Sequence, residues 1–365
     1  MIAISGSDGF IGKHCKIYCK INNIKDVLFL NKKNLKEKET KKRINKCKSF
    51  IHLAGINREN QGNLVKKNLE ILKKHLNLLD QNTNLKNIIF TSSIHRNSNN
   101  DYAKSKLQCE KILKKFTNKK KINLKIIILP NVFGEFCKPN YNSVVATFSN
   151  NLMNNIECKI NINKHLKLIY VQDVVKNIFY NLNSKKKLLL TSKIKVISVK
   201  SLKKKLELYK QNYFLNQIPK FINDFDLNLF NTFRSYAFPN KLALNLKLHK
   251  DNRGSLWEVI KSEKKTNIIV STTKKGVERG NHFHTKKIEK FIILKGKAVI
   301  KFRYIFEKKI YKIKINSNKL KSIDIPSYCT HSLTNTNKED LLTMFYSNEI
   351  FNPLKPDTYY EKVIQ

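Results

Sequence analysis

A chain of 365 residues, 41% hydrophobic, is long enough to bury two cores, and its formal charge of +45 first raises a nucleic-acid partner. The excess, however, is lysine: only seven arginines stand among the 72 basic residues, whereas surfaces that grip nucleic acid also use arginine's planar fork. Lysine, asparagine and isoleucine share AT-rich codons, so the charge reads as base composition on solvated surfaces; no nucleic-acid partner is expected, and a phosphate-bearing substrate suits it.

Seven scattered cysteines, never spaced CxxC, argue against a disulfide framework and a thiolate zinc site, and point to buried packing in a reducing compartment. The sequence opens at once on a strand and glycine turn, which leaves no room for a signal peptide. Its longest apolar runs fall short of the ~20 residues that span a bilayer. A cytoplasmic protein with no membrane insertion is expected.

In chain order, Ile2-Ala3-Ile4-Ser5 reads as a buried strand, Gly6-Ser7-Asp8-Gly9-Phe10-Ile11-Gly12 as a glycine turn, and the next segment as an amphipathic helix. Such a turn lets the backbone approach a pyrophosphate seated on the helix's positive end. A Walker A loop is excluded by spacing, since five residues separate Gly6 from Gly12 and His14 follows Lys13. Strand and helix then alternate through DVLFL, SFIHLAG, a helix over 62–81, NIIFTSS, a helix over 101–116 and LKIIILPNVFG. This predicts an α/β fold with a doubly wound parallel sheet. The second strand runs into Asn31-Lys32-Lys33 rather than the acidic residue that holds the ribose 2'-hydroxyl of NAD, which favours NADPH.

Tyr102 and Lys106 lie four apart on one helix face. An ammonium there is expected to lower the phenol's pKa, so that Tyr102 can give or take a proton. Ser93 closes the preceding strand at the carboxyl edge, where such sheets meet ligands. The glycine turn, HLAG, TSS and YxxxK in this order resemble an extended short-chain dehydrogenase/reductase of Rossmann type. The resemblance implies Gly6, Gly9, Phe10, Ile11 and Gly12 around the cofactor phosphates, and His52-Leu53-Ala54-Gly55 lining the cofactor. Asn31, Lys32 and Asn131 are further cofactor candidates. It also implies Ser93 and Tyr102 at the substrate carbonyl and Lys106 at the nicotinamide ribose; Ser5 stands where many members have threonine. Residues 185–240 read as a substrate-side lobe and linker.

From Asn240 onward the alternation gives way to short strands, which sets the expected boundary: a reductase domain over 1–240 and an all-β domain over 241–365. Gly276, His282, His284, Glu289 and Gly296 follow the spacing GX5HXHX4EX6G. Residues two apart face one side of a strand, so His282 and His284 are expected together, with Glu289 joining from the paired strand and His331 from Pro326-Ser327-Tyr328-Cys329-Thr330-His331. Three imidazoles and a carboxylate suit a borderline divalent metal such as zinc, with a position open to substrate. The pattern resembles the two motifs of the cupins, which form a jelly-roll barrel, with Leu320 and Tyr328 where glycine is common.

Reductase followed by cupin resembles the CapF family of bacterial capsular-polysaccharide enzymes, most specifically at 139–148, at Asp251-Asn252-Arg253-Gly254-Ser255 and at Arg279-Gly280-Asn281-His282. The resemblance implies a bifunctional enzyme, with a UDP-sugar substrate and a homo-oligomeric state (dimer or tetramer). The cupin half would epimerise C3 of a UDP-2-acetamido-2,6-dideoxy-4-ketohexose, where a metal steadies the enediolate. The reductase half would then reduce C4 with NADPH, towards UDP-N-acetyl-L-fucosamine. The alternative is the same chemistry on another nucleotide 4-keto-6-deoxysugar.

Overall fold

The computed structural model describes residues 1–58, 63–183, 193–251, 254–258, 260–262, 267–349, 354 and 356–365. Asn252 and Arg253, and residues 185–192 of the expected lobe, lie outside the described residues. The elements in the first half are β1 (Ile2–Ser5), α1 (Phe10–Ile21), β2 (Val27–Leu30), α2 (Lys38–Ile44), β3 (Ser49–His52), α3 (Leu64–Leu79), β4 (Asn87–Ser93), α4 (Asp101–Lys120), β5 (Asn123–Leu129), β6 (Asn131–Phe133), α5 (Val144–Met153), β7 (His165–Tyr170), α6 (Val171–Asn183) and β8 (Lys195–Ser198). Then come α7 (Val199–Phe214), β9 (Gln217–Ile218), α8 (Asp224–Ser235), β10 (Ala243–Asn245), β11 (Lys247–Asp251), β12 (Gly254–Glu258), β13 (Lys261–Ser262), β14 (Asn267–Thr273), β15 (Glu278–Phe283), β16 (Glu289–Lys295), β17 (Lys297–Tyr304), β18 (Tyr311–Asn316), β19 (Lys321–Ile325), β20 (Cys329–Asn335), β21 (Leu341–Ser347) and β22 (Tyr359–Tyr360). Among the described residues no helix is long and apolar enough to cross a membrane.

One compact unit comprises residues 1–144 and 164–198. Its sheet is parallel in the order β2-β1-β3-β4-β5. Alternate residues of each strand feed opposite faces. Ala3, Phe50 and Ile88 pack with Leu72, Leu76 and Leu113 of α3 and α4, whereas Ile4, Ile51 and Ile89 pack with Cys15 of α1 and Val174 and Ile178 of α6. That explains the continuous apolar strands and the doubly wound arrangement expected from them. The chain reverses its order between β1 and β3, and at this switch point the carboxyl ends of the strands leave a crevice.

The second unit comprises residues 145–163 and 199–365. The single cut expected at residue 240 therefore differs from the observed division, and α7 and α8 belong with the β-rich part. Arg234 of α8 explains why: wholly buried, it donates to Asp324 Oδ1 at 2.6 Å, to the Ile325 carbonyl at 2.7 Å and to the Lys287 carbonyl at 3.3 Å. Tyr213 of α7 reaches the same carboxylate at 3.3 Å, and Lys290 stands 3.7 Å from it. Two five-stranded antiparallel sheets carry most of the rest, in the orders β10-β19-β16-β21-β14 and β18-β17-β20-β15-β22, beside the pairs β11-β12 and β13-β9. The expectation that Glu289 joins from the strand paired with the histidines is corrected here. β15 pairs with β20 and β22, while β16 pairs with β19 and β21, so the residues between His284 and Glu289 carry the chain from one sheet to the other.

Breaking a buried ion pair by removing one partner typically costs about 3–5 kcal/mol, because the other charge is left uncompensated. Arg234→Leu is therefore expected to destabilise the second unit by that amount, read from urea unfolding followed by Trp257 fluorescence. A loss below about 1 kcal/mol would mean that Lys290 takes over the charge of Asp324.

Candidate functional site

At the switch point the backbones approach too closely for side chains. Gly6 has φ +70°, and a Cβ there would meet Ala54 N at 2.7 Å and Ala54 Cα at 2.8 Å; one on Gly12 would meet the Gly6 carbonyl oxygen at 2.2 Å. Both contacts are far inside van der Waals range, which is the physical reason for glycine at each. Ser5 Oγ is hydrogen-bonded to His52 Nδ1 at 2.9 Å and accepts from Ala54 N at 3.4 Å, tying the ends of β1 and β3 together. Gly9 caps α1, which starts at Phe10. Ile11 and Leu53 pack against the core, and a Cβ on Gly55 would meet Asn68 Oδ1 at 3.2 Å. Asn131 donates to the Lys167 carbonyl at 3.3 Å.

Beyond β2, the Asn31 side chain folds its own turn, with Oδ1 accepting from Lys33 N at 2.9 Å and Asn34 N at 3.0 Å. Lys32 and Lys33 are left exposed. The sequence reading passed over Asp8, whose carboxylate bonds Lys16 at 2.6 Å and lies against Asn31.

Ser93, Tyr102 and Lys106 meet at the carboxyl edge. Asn100 caps α4 by accepting from Ala103 N at 2.9 Å, fixing the first turn on which Tyr102 sits. The phenol lies beside Ser93, whose hydroxyl favours the ionised form. Lys106 donates to the Thr91 carbonyl at 3.0 Å, its nitrogen 5.6 Å from the Tyr102 ring centroid. The expected fall in the Tyr102 pKa is corrected: burial raises it, Ser93 works the other way, and Tyr141 raises it further. Burial also draws Lys106 down, to about 8. Asn68, which has no role in the sequence reading, and Tyr141 of the 139–148 stretch fix this region. Asn68 of α3 accepts from Ile56 N at 2.8 Å and donates to Ser105 Oγ at 3.2 Å, while the Tyr141 hydroxyl accepts from Asn57 N at 3.1 Å.

In the second unit, ligand atoms of His282, His284, Glu289 and His331 lie within 4.8 Å of one another. The β15 strand bulges at Gly280 and Asn281, both at positive φ, so that His282 falls directly opposite His331 of β20. A Cβ on Gly280 would meet the His331 carbonyl oxygen at 2.6 Å. Tyr328, where the motif commonly has glycine, keeps the left-handed conformation that glycine would supply, φ +60°.

Two imidazoles are oriented by carbonyls: His284 Nδ1 donates to Asp357 O at 2.5 Å and His331 Nδ1 to Cys329 O at 3.2 Å. With Nδ1 of each ring engaged by a carbonyl, Nε2 is the atom turned towards the cluster. These nitrogens stand 3.2 and 3.3 Å from Glu289 Oε2, and His331 Nε2 is buried without a hydrogen-bond partner. Burial and then the neighbouring His331 and His284 draw the His282 pKa down to about 3. Burial pushes Glu289 up, but His284 and His331 outweigh it and hold the carboxyl well below its usual range. Three imidazoles and one carboxylate whose ligand atoms converge in this way fit a divalent cation.

Residues 2–189 match the NAD dependent epimerase/dehydratase family, and residues 249–359 match a domain described as the polysaccharide biosynthesis C-terminal domain. The chain belongs to the NAD dependent epimerase/dehydratase family. Its resemblance to CapF extends over its length. The crystal structure of the capsular polysaccharide assembling protein CapF from Staphylococcus aureus is 32% identical with a TM-score of 0.63, covering 99% of both chains. A structure of CapF with the inhibitor 3-isopropenyl-tropolone is 30% identical with a TM-score of 0.59, again covering 99% of both. The UDP-2-acetamido-2,6-beta-L-arabino-hexul-4-ose reductase of Pseudomonas aeruginosa is 29% identical over 98% of this chain and 97% of that protein.

Membership in this epimerase/dehydratase family implies a nicotinamide cofactor, and the glycine turn is the seat expected for its phosphates. Gly12→Ala is then expected to weaken dinucleotide binding at least tenfold in a fluorescence titration, because the turn must open. Gly9→Ala, whose Cβ would stand 3.1 Å from Gly6 O, should cost less; equal losses would show that the Gly12 contact does not shape the phosphate seat.

Proposed function

We propose that the protein is a bifunctional nucleotide-sugar enzyme: one unit epimerises C3 of a UDP-2-acetamido-2,6-dideoxy-4-ketohexose and the other reduces its C4 ketone with NADPH, towards UDP-N-acetyl-L-fucosamine. The observation that carries the reading is the occurrence in one chain of the Ser93/Tyr102/Lys106 group and a three-imidazole, one-carboxylate cluster. Full-length likeness to CapF and to the P. aeruginosa reductase supports the substrate class. Exposed Lys32 and Lys33, with no carboxylate closing β2, support NADPH over NADH. Asp8, which lies against Asn31, is already paired with Lys16.

Ser93 and Tyr102 bind the C4 oxygen. Tyr102, kept protonated by burial, gives its proton to that oxygen as it becomes an alkoxide, and buried Lys106 steadies the phenolate left behind. NADPH, when bound, supplies the hydride. His282, His284, Glu289 and His331 of the cupin-like unit would hold zinc, and a cation there supplies positive charge for an oxygen that turns negative when the carbon beside a ketone loses its proton.

Tyr102→Phe is expected to lower the NADPH oxidation rate at saturating substrate by at least 100-fold while cofactor affinity stays within a few-fold; substantial residual turnover would remove Tyr102 as the acid. Incubated with the UDP-4-ketosugar in deuterated water without NADPH, the wild-type protein should exchange the C3 proton. His282→Ala should not, yet should still consume NADPH and yield a C4-reduced sugar of unchanged C3 configuration. Absence of exchange in the wild type would refute the epimerase assignment.

A further inference from the structure

We propose that residues 357–363 form a positioning strap for the histidine cluster, with Asp357 as its key positioning residue; this rests on the reading of the cluster as a metal site. The strap reaches all three histidines. The Asp357 carbonyl accepts from His284 Nδ1. Beside His282, Asn281 offers its carbonyl to Glu361 N at 2.8 Å and its Oδ1 to Val363 N at 3.1 Å, pinning the bulge that turns His282 inward. Next to His331, Thr330 Oγ1 donates to the Glu361 carbonyl at 2.5 Å. Buried Arg303 fixes the strap in turn, through Glu361 Oε1 at 2.8 Å and the Val363 carbonyl at 2.9 Å.

Asp357 acts at both ends of one residue. Its Oδ1 accepts from Thr285 N and Thr285 Oγ1 at 3.0 and 2.6 Å, and its Oδ2 from Lys286 N and Lys287 N, each at 2.7 Å. The carboxylate thus fixes the turn that follows His284 and holds its own carbonyl where the imidazole needs an acceptor. That carbonyl sets the His284 tautomer and ring orientation, with Nε2 directed towards Glu289. Partners of this kind, one bond behind a metal ligand, typically change affinity 10–100-fold when lost.

The test uses the full chain freed of metal with a chelator, and Co2+ as the probe. Co2+ binding is followed by its visible absorption bands, and Zn2+ binding by competition with the chelator, in wild type, Asp357→Ala, Asp357→Asn and Thr285→Val. The expected result is one bound ion in the wild type, affinity reduced 10–100-fold with altered Co2+ bands in Asp357→Ala, and smaller losses in the other two. Should Asp357→Ala fail to fold, as judged by circular dichroism and the metal-free melting midpoint, the milder pair decides on the same readouts. Unchanged affinity and bands in folded variants would overturn the strap and leave the metal reading intact. Absence of Co2+ and Zn2+ binding by the wild type would overturn both.

Discussion

The histidine cluster depends on a turn of four residues. Between His284 and Glu289 the chain leaves one sheet and enters the other, and a peptide that crosses between packed sheets has no ladder in which to place its hydrogen bonds. Side chains from three other places supply them. Asp357 takes the N–H groups of Thr285, Lys286 and Lys287. Asn348 takes that of Ile288, while Asn231 and Arg234 of α8 donate to the carbonyls of Lys286 and Lys287. Helix, strap and turn therefore form one polar assembly, and the cluster inherits its rigidity.

The first unit solves a different problem by omission. Gly6, Gly12 and Ala54 bring three backbone segments together by having little or no side chain, and the helix that begins at Phe10 then faces the space so opened. Across the sheet, burial acts on Tyr102 and Lys106 in opposite senses, raising the phenol and lowering the ammonium. Their proton affinities are thereby drawn apart: the phenol holds its proton more firmly, and the ammonium gives its own up more readily than a free lysine does.

How far the sequence was legible depended on the range of the interactions. The glycine turn, the alternation of strand and helix, and the YxxxK and HxH spacings are local, and the structure brings those residues together. What lay beyond reach was non-local. Nothing in the strand pattern distinguishes a hairpin from a crossing between sheets, so Glu289 was assigned to the wrong partner strand. Asn231 and Arg234 sit in a segment that reads as a lysine-rich linker, although the buried arginine ties it to Asp324. Asp357 belongs to no motif, and its role appears only once the turn it grips is in place. The Tyr102 shift went the other way because charge proximity is visible in a sequence and burial is not.

The spacing of the turn's partners along the chain also bears on the order of synthesis. By the time residue 331 has been made, all four cluster residues exist, and so does α8, yet Asn348 and Asp357 do not. A nascent chain halted there holds the donor atoms without the two side chains that close the turn from its amide side. Contacts of such long sequence separation form late, since the loop entropy is lost before the contacts reward it. The turn beside the cluster is thus completed only once the chain through Asp357 has been made, well after the histidines first appear.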